Sequence, residues 1–220
     1  MNALFFGSIG TLSDTSELQR EAFNAAFREH GLDWHWDRDA YRDMLRTSGG
    51  QARIEAQAGS EGLAVDAGAV HATKSRLFQE MLDAGRAEMR PGLRETLDHA
   101  ARDGLPVAFV TTTSRGNVDA LLAALKLNPR QFALVTSRAD VDASKPDPEC
   151  YRFAAKQLSF DPAGCIAIED NSDGVRAALA AGCETLAWPN RNTQGHDFTG
   201  ARVITGDIHE AIWAPMVPGR

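Results

Sequence analysis

The sequence predicts an α/β fold: a doubly wound parallel sheet carrying an inserted helical domain. Three observations carry this expectation. Five short runs, residues 3–6, 106–110, 132–135, 165–168 and 184–187, are almost wholly apolar. Strands wetted on one side alternate in polarity, whereas near-continuous apolar strands are covered on both faces, as parallel strands are. Helical patterns at about 92–102, 115–126, 148–158 and 173–181 separate these runs, and such alternation winds into a sheet through right-handed crossovers. From about residue 15 to residue 88, finally, the strand signal vanishes and only helical periodicity remains.

Taken in order, the first run ends at Phe6. Asp14 with Glu17 three residues on has the spacing of a capping box. Leu18, Ala22, Ala25 and Ala26 then form one apolar face that ends near Gly31. Further helices are expected at about 37–46, 50–57 and 68–84, with Trp34 and Trp36 as packing anchors. Arg90, Pro91 and Gly92 mark the return to the sheet. The division is therefore a core of residues 1–14 and 89–220 and a helical cap domain of residues 15–88.

Composition narrows the class of function. The chain has 220 residues, 43% of them apolar and 24% charged, enough for one large domain or one with a smaller companion. Its net charge of −7 argues against a nucleic-acid partner, which requires a basic face. No apolar run approaches the roughly 18 residues of a membrane span, and the N-terminus lacks the pattern of a signal peptide. Cys150, Cys165 and Cys183 are odd in number and widely spaced, which fits free thiols in a cytoplasmic protein. The six histidines show no metal-ligand spacing. A monomer that meets small molecules, with no membrane partner, is expected.

Ligands of open α/β sheets bind at the carboxyl ends of the strands. Gly7, Ser8, Ile9, Gly10 and Thr11 follow the first run. Thr111, Thr112, Thr113 and Ser114 follow the second, Ser144 and Lys145 come after the third, and Glu169, Asp170 and Asn171 close the fourth. Hydroxyls, one ammonium and an acidic pair thus meet on one rim. This set suits a phosphate, with carboxylates for a magnesium ion. Each element also has a plain structural reading: Thr111 as a strand-end threonine, Lys145 as a solvated charge, Glu169 and Asp170 as residues favoured by a helix dipole. Their arrival together at successive strand ends favours the ligand.

These residues resemble the haloacid dehalogenase superfamily, in particular CbbY-type sugar-phosphate phosphatases and the related β-phosphoglucomutases. The likeness rests on GTLSDT (10–15), VAFVTTTSRGNVDALL (107–122), SKPDPECY (144–151) and IEDNSDGVRAALAAG (168–182), and in the insert on residues 16–54. The family's first motif reads Asp-x-Asp-Gly-Thr-Leu, its first aspartate the phosphorylated nucleophile and its second the general acid/base. Aligned on Gly10, Thr11 and Leu12, those positions hold Gly7 and Ile9. Glycine offers no nucleophile and isoleucine no proton.

The resemblance further implies that Thr111, Thr112 and Lys145 hold the phosphate. Glu17, Tyr41, Gly49, Gly50 and Arg53 would face the sugar phosphate, and Glu169 and Asp170 would hold magnesium at a site weakened by the missing carboxylate. Gln19 and Gln51 stand where close relatives carry histidine and lysine. Ser8, one residue along the strand from Gly7, is expected to turn its hydroxyl away. Without a carboxylate at position 7, Lys145 is expected to be uncompensated and to attract anions. The expected function is a phosphate- or sugar-phosphate-binding homologue, inactive or strongly impaired in hydrolysis. Two alternatives are an active magnesium-dependent phosphatase using a substitute group or an activated water, and a protein–protein regulator of an active paralogue.

Overall fold

The computed structural model describes residues 1–213. Six parallel strands, β1 (Ala3–Phe6), β2 (Val107–Phe109), β3 (Leu134–Val135), β4 (Cys165–Glu169), β5 (Glu184–Ala187) and β6 (Arg202–Val203), lie in the order β3-β2-β1-β4-β5-β6. The first strand is central: Leu4 pairs with Val107 on one side and with Ile166 on the other. Successive side chains of a strand point to opposite faces. Leu4 and Phe6 accordingly enter one apolar cluster with Leu97 and Leu121, while Ala3 and Phe5 enter another with Tyr151 and Ala154. All four are 0% exposed, which is why the run carries no polar residue. The sheet changes direction beside β1, the position at which such folds open a crevice.

Between β1 and β2 stand α1 (Ile9–Leu12), α2 (Ser16–Glu29), α3 (Arg38–Met44), α4 (Gly50–Glu61), α5 (Ala67–Asp83) and α6 (Leu93–Arg102). The remaining helices are α7 (Arg115–Ala124), α8 (Glu149–Gln157), α9 (Ser172–Ala181) and α10 (Ile208–Trp213). None of the described helices is long and apolar enough to cross a membrane. Phe23, Phe27, Trp34, Trp36, Tyr41 and Ile54 form a cluster of their own, with the Trp36 ring 4.7 Å from Phe23 and 4.8 Å from Phe27 between centroids. Leu18 and Ala22 of α2 and Phe78 and Leu82 of α5 instead join the cluster of Leu4 and Phe6.

Asn24 accepts from the Trp36 amide at 2.8 Å and donates to its carbonyl at 2.9 Å, fixing the loop before α3. Asn24→Ala is expected to cost about 2 kcal/mol, because the buried Trp36 amide loses its partner; an unchanged urea midpoint would contradict this.

Two local expectations need correction, and three short elements add to them. The N-cap of α2 is Thr15, not Asp14; Asp14 instead accepts from the Ser16 hydroxyl at 2.7 Å, one residue outside the box geometry. The run 132–135 pairs only at Leu134–Val135. Finally, α1, β6 and α10 were not anticipated, being too short or too exposed to leave a periodic signal.

Candidate functional site

A cleft of about 440 Å³ opens at the carboxyl ends of the strands. Its floor comes from the loop after β1. The Gly7 amide continues the ladder by donating to the Ile168 carbonyl at 2.8 Å, and the chain then turns into α1 with Ser8 as its N-cap. Arg90 fixes this loop from behind. Its guanidinium donates to the carbonyls of Gly10, Trp188 and Pro189 at 3.1, 2.7 and 2.9 Å and lies 3.5 Å over the Trp188 ring.

Beneath Gly7 lies a buried ion pair. Lys145 Nζ stands 2.5 Å from Glu169 Oε1 and also donates to the carbonyls of Gly7 and Val110 at 3.0 and 2.9 Å. The Tyr151 hydroxyl donates to the same carboxylate oxygen at 2.6 Å. A Cβ at position 7 would meet Glu169 Oε1 at 2.1 Å and the Tyr151 hydroxyl at 2.3 Å, so these two groups fill the space a side chain there would take. Burial lifts the Glu169 carboxyl above the usual carboxylate range. Burial also opposes the charge on Lys145, yet the adjacent Glu169 holds the ammonium above the ordinary lysine range. The expected uncompensated Lys145 is thus corrected: Glu169 turns away from the cleft and answers it.

The expectation for Ser8 is corrected as well. Its hydroxyl donates to Asp170 Oδ1, because strand geometry ends at Phe6 and alternation no longer governs its direction. Asp170 also accepts from Asn171 at 2.8 Å and from Asn190 at 2.7 Å. Gly10 permits this approach, since a Cβ there would lie 1.9 Å from Asp170 Oδ2.

Thr111 and Thr112 border the cleft beside Lys145, with the Thr111 hydroxyl accepting from the Thr113 amide at 3.2 Å. Ile9 borders it too while packing into the apolar cluster of Leu12. Tyr41, Gly49, Gly50 and Arg53 lie on the helical wall. The Tyr41 phenol is pushed up to about 12 by burial. Gly49 has φ of +105°, a conformation that requires glycine. The Arg53 guanidinium braces the preceding loop through the carbonyls of Met44 and Thr47 at 2.9 and 2.5 Å.

Glu17 stands apart from this wall. Arg20, Arg38 and Asn192 draw its carboxylate aside at 3.1, 3.2 and 2.8 Å.

Sequence reasoning weighed Ser8 and set it aside, and it passed over Tyr151 and Lys74. Lys74 offered one signal, since it shares an apolar stripe of spacing four with Val70, Phe78 and Leu82, all of them buried.

Comparison with known proteins places the chain in a family. The family described as haloacid dehalogenase-like hydrolase matches residues 1–182. The chain belongs to the haloacid dehalogenase-like hydrolase family. Within that family it is 37% identical to protein CbbY of Rhodobacter capsulatus over 216 residues, covering 96% of this chain and 95% of the relative. It is 38% identical to the plasmid CbbY of Cupriavidus necator over 234 residues, covering 100% and 91%. The crystal structure of CbbY from Rhodobacter sphaeroides in complex with phosphate superposes with a TM-score of 0.85 at 35% identity, covering 93% of this chain and 94% of that one. A mutant of the same protein, in complex with xylulose-(1,5)bisphosphate, gives 0.86 at the same identity and coverage.

Magnesium, which the family implies, does not fit the donors as this CbbY-like chain arranges them. Glu169 is 0% exposed, and its carboxylate lies between Gly7 and Gly174. Its Oε2 has no hydrogen-bond partner among the described residues and points at Gly174, where a Cβ would come within 2.2 Å. Asp170 already accepts three hydrogen bonds, and position 7 adds no third carboxylate. Among the described residues, no three His, Cys, Asp or Glu side chains gather to hold a metal ion.

Proposed function

We propose that this CbbY-like chain binds inorganic phosphate or a phosphorylated sugar in the cleft and hydrolyses it very slowly or not at all. One observation carries the reading: the place of a nucleophile just past the first strand is a glycine, and Glu169 with Tyr151 fills the space a side chain there would take. Thr111, Thr112 and the amides of the β1 loop supply hydrogen bonds suited to a phosphate. The crystallised relatives that carry phosphate and xylulose-(1,5)bisphosphate support the ligand class. The helices of residues 15–88 act in this reading as a cap over the ligand.

Calorimetry with inorganic phosphate and a panel of sugar phosphates, beside a phosphate-release assay with and without magnesium, tests it. Binding without measurable release is expected. Turnover at rates ordinary for enzymes, about 1 per second or more, would overturn the inactive reading, and no binding at millimolar ligand would overturn the binding one.

A second reading has one observation in its favour. The Ser8 hydroxyl, bonded to Asp170 at the edge of the cleft, is a substitute group for the missing aspartate. Release that vanishes in Ser8→Ala would support it.

A further inference from the structure

Lys74 is a buried ammonium in the wall of the cleft, and among the described residues no carboxylate answers it. It stands on α5 and is 3% exposed. Its Nζ donates to Gln19 Oε1 at 2.9 Å and lies 4.8 and 5.1 Å from the ring centroids of Phe23 and Phe78. The groups around it are cationic or neutral. α4 brings Arg53, its own helix brings His71, and α2 brings Gln19 and Phe23. α7, packed on the same helix, turns Asn117 toward Gln79 and keeps its charged Arg115 and Asp119 exposed. Burial, helped by Arg53, brings the Lys74 ammonium down to about 7, and burial with Lys74 and Arg53 brings His71 down to about 4.

A carbonyl dipole and two ring faces stabilise a cation far less than a counter-charge does when water is excluded. Such a lysine either sheds its proton or takes an anion from outside. The cleft offers the second route, since Lys74, Arg53, His71 and Gln19 all border it.

We infer that Lys74 is an anion-binding group of the helical wall, which takes an oxyanion of the bound ligand together with a proton. The inference rests on the cleft being a ligand site and adds what the reading above lacks, a coupling between ligand and pH. Whatever factor the anion adds to the protonation of Lys74, the proton adds to the affinity of the anion.

The chain has four lysines, Lys74, Lys126, Lys145 and Lys156, so [ε-13C]lysine labelling gives four resonances to follow from about pH 6 to pH 10. Sulfate at tens of millimolar is the probe, because unlike phosphate it does not titrate in that range. One resonance, assigned by its loss in Lys74→Arg, is expected to titrate near 7. With sulfate it should move up by about one unit or more, equivalent to sulfate binding about tenfold weaker at the alkaline end. A Lys74 resonance that titrates in the ordinary lysine range, or that ignores sulfate, overturns the inference. Calorimetry separates the two claims. A sulfate-insensitive Lys74 in a chain that still binds sugar phosphate removes this inference alone, whereas loss of all ligand binding removes the reading beneath it as well.

Discussion

Lys145→Met is expected to destabilise the fold by about 3–5 kcal/mol, the usual consequence of stripping one partner from a buried ion pair. The substitution leaves the Glu169 carboxylate, 0% exposed, facing only the Tyr151 hydroxyl, and it takes a donor from the carbonyls of Gly7 and Val110. The loss should depend on pH. With its cation gone, the Glu169 carboxyl rises further above its unfolded value, so the folded state holds a proton that the unfolded state has released. Stability then falls as pH rises through that window, and the deficit shrinks toward pH 5. Urea titrations across that range measure it. Lys145→Met/Glu169→Gln removes both charges and should regain at least half of the loss; a double variant as weak as the single one would refute the ion pair as the cause.

Gly7→Asp/Ile9→Asp is expected to raise sugar-phosphate hydrolysis by at least about a hundredfold over the natural sequence, since on the reading proposed above it supplies both a nucleophile and a proton donor. The gain will be limited by space. An aspartate at position 7 carries its Cβ into Glu169 Oε1 and the Tyr151 hydroxyl, and crowding of that kind costs about 1–3 kcal/mol unless neighbours yield. The Glu169 carboxylate, the far end of its side chain, would have to give way, and its contacts with Lys145 and Tyr151 with it. Adding Tyr151→Phe removes the second obstacle and should improve both stability and rate. Phosphate-release assays on the three proteins decide the matter, and equal rates in all of them would show that positions 7 and 9 do not limit turnover.

The strands that build the sheet were legible because they are covered on both faces, so their sequences carry no polar residue between Ala3 and Phe6. β6 was not legible, as Arg202 and Val203 are both exposed at the sheet's edge. The rim of the cleft was legible for a topological reason, since residues just past parallel strands must meet. What the rim residues do to one another was not. The direction of Ser8 depends on where β1 gives way to α1, and the turn of Glu169 depends on the hole that Gly7 leaves. Glu17 matches a cap-facing position in sequence, yet two arginines and Asn192 hold it elsewhere. Lys74 was hidden by its neighbours, as a lone charge among Val70, Phe78 and Leu82 reads like helix core.

The central place of β1 has a consequence for biosynthesis. β1 precedes both of its partners in the chain, so its pairing edges wait for Val107–Phe109 and then Cys165–Glu169. Pairings so distant in sequence form slowly, and exposed strand edges invite association between nascent chains. The four residues of β1, all 0% exposed in the folded chain, therefore stay unpaired until both partner strands have followed them, and that is where a chaperone would act.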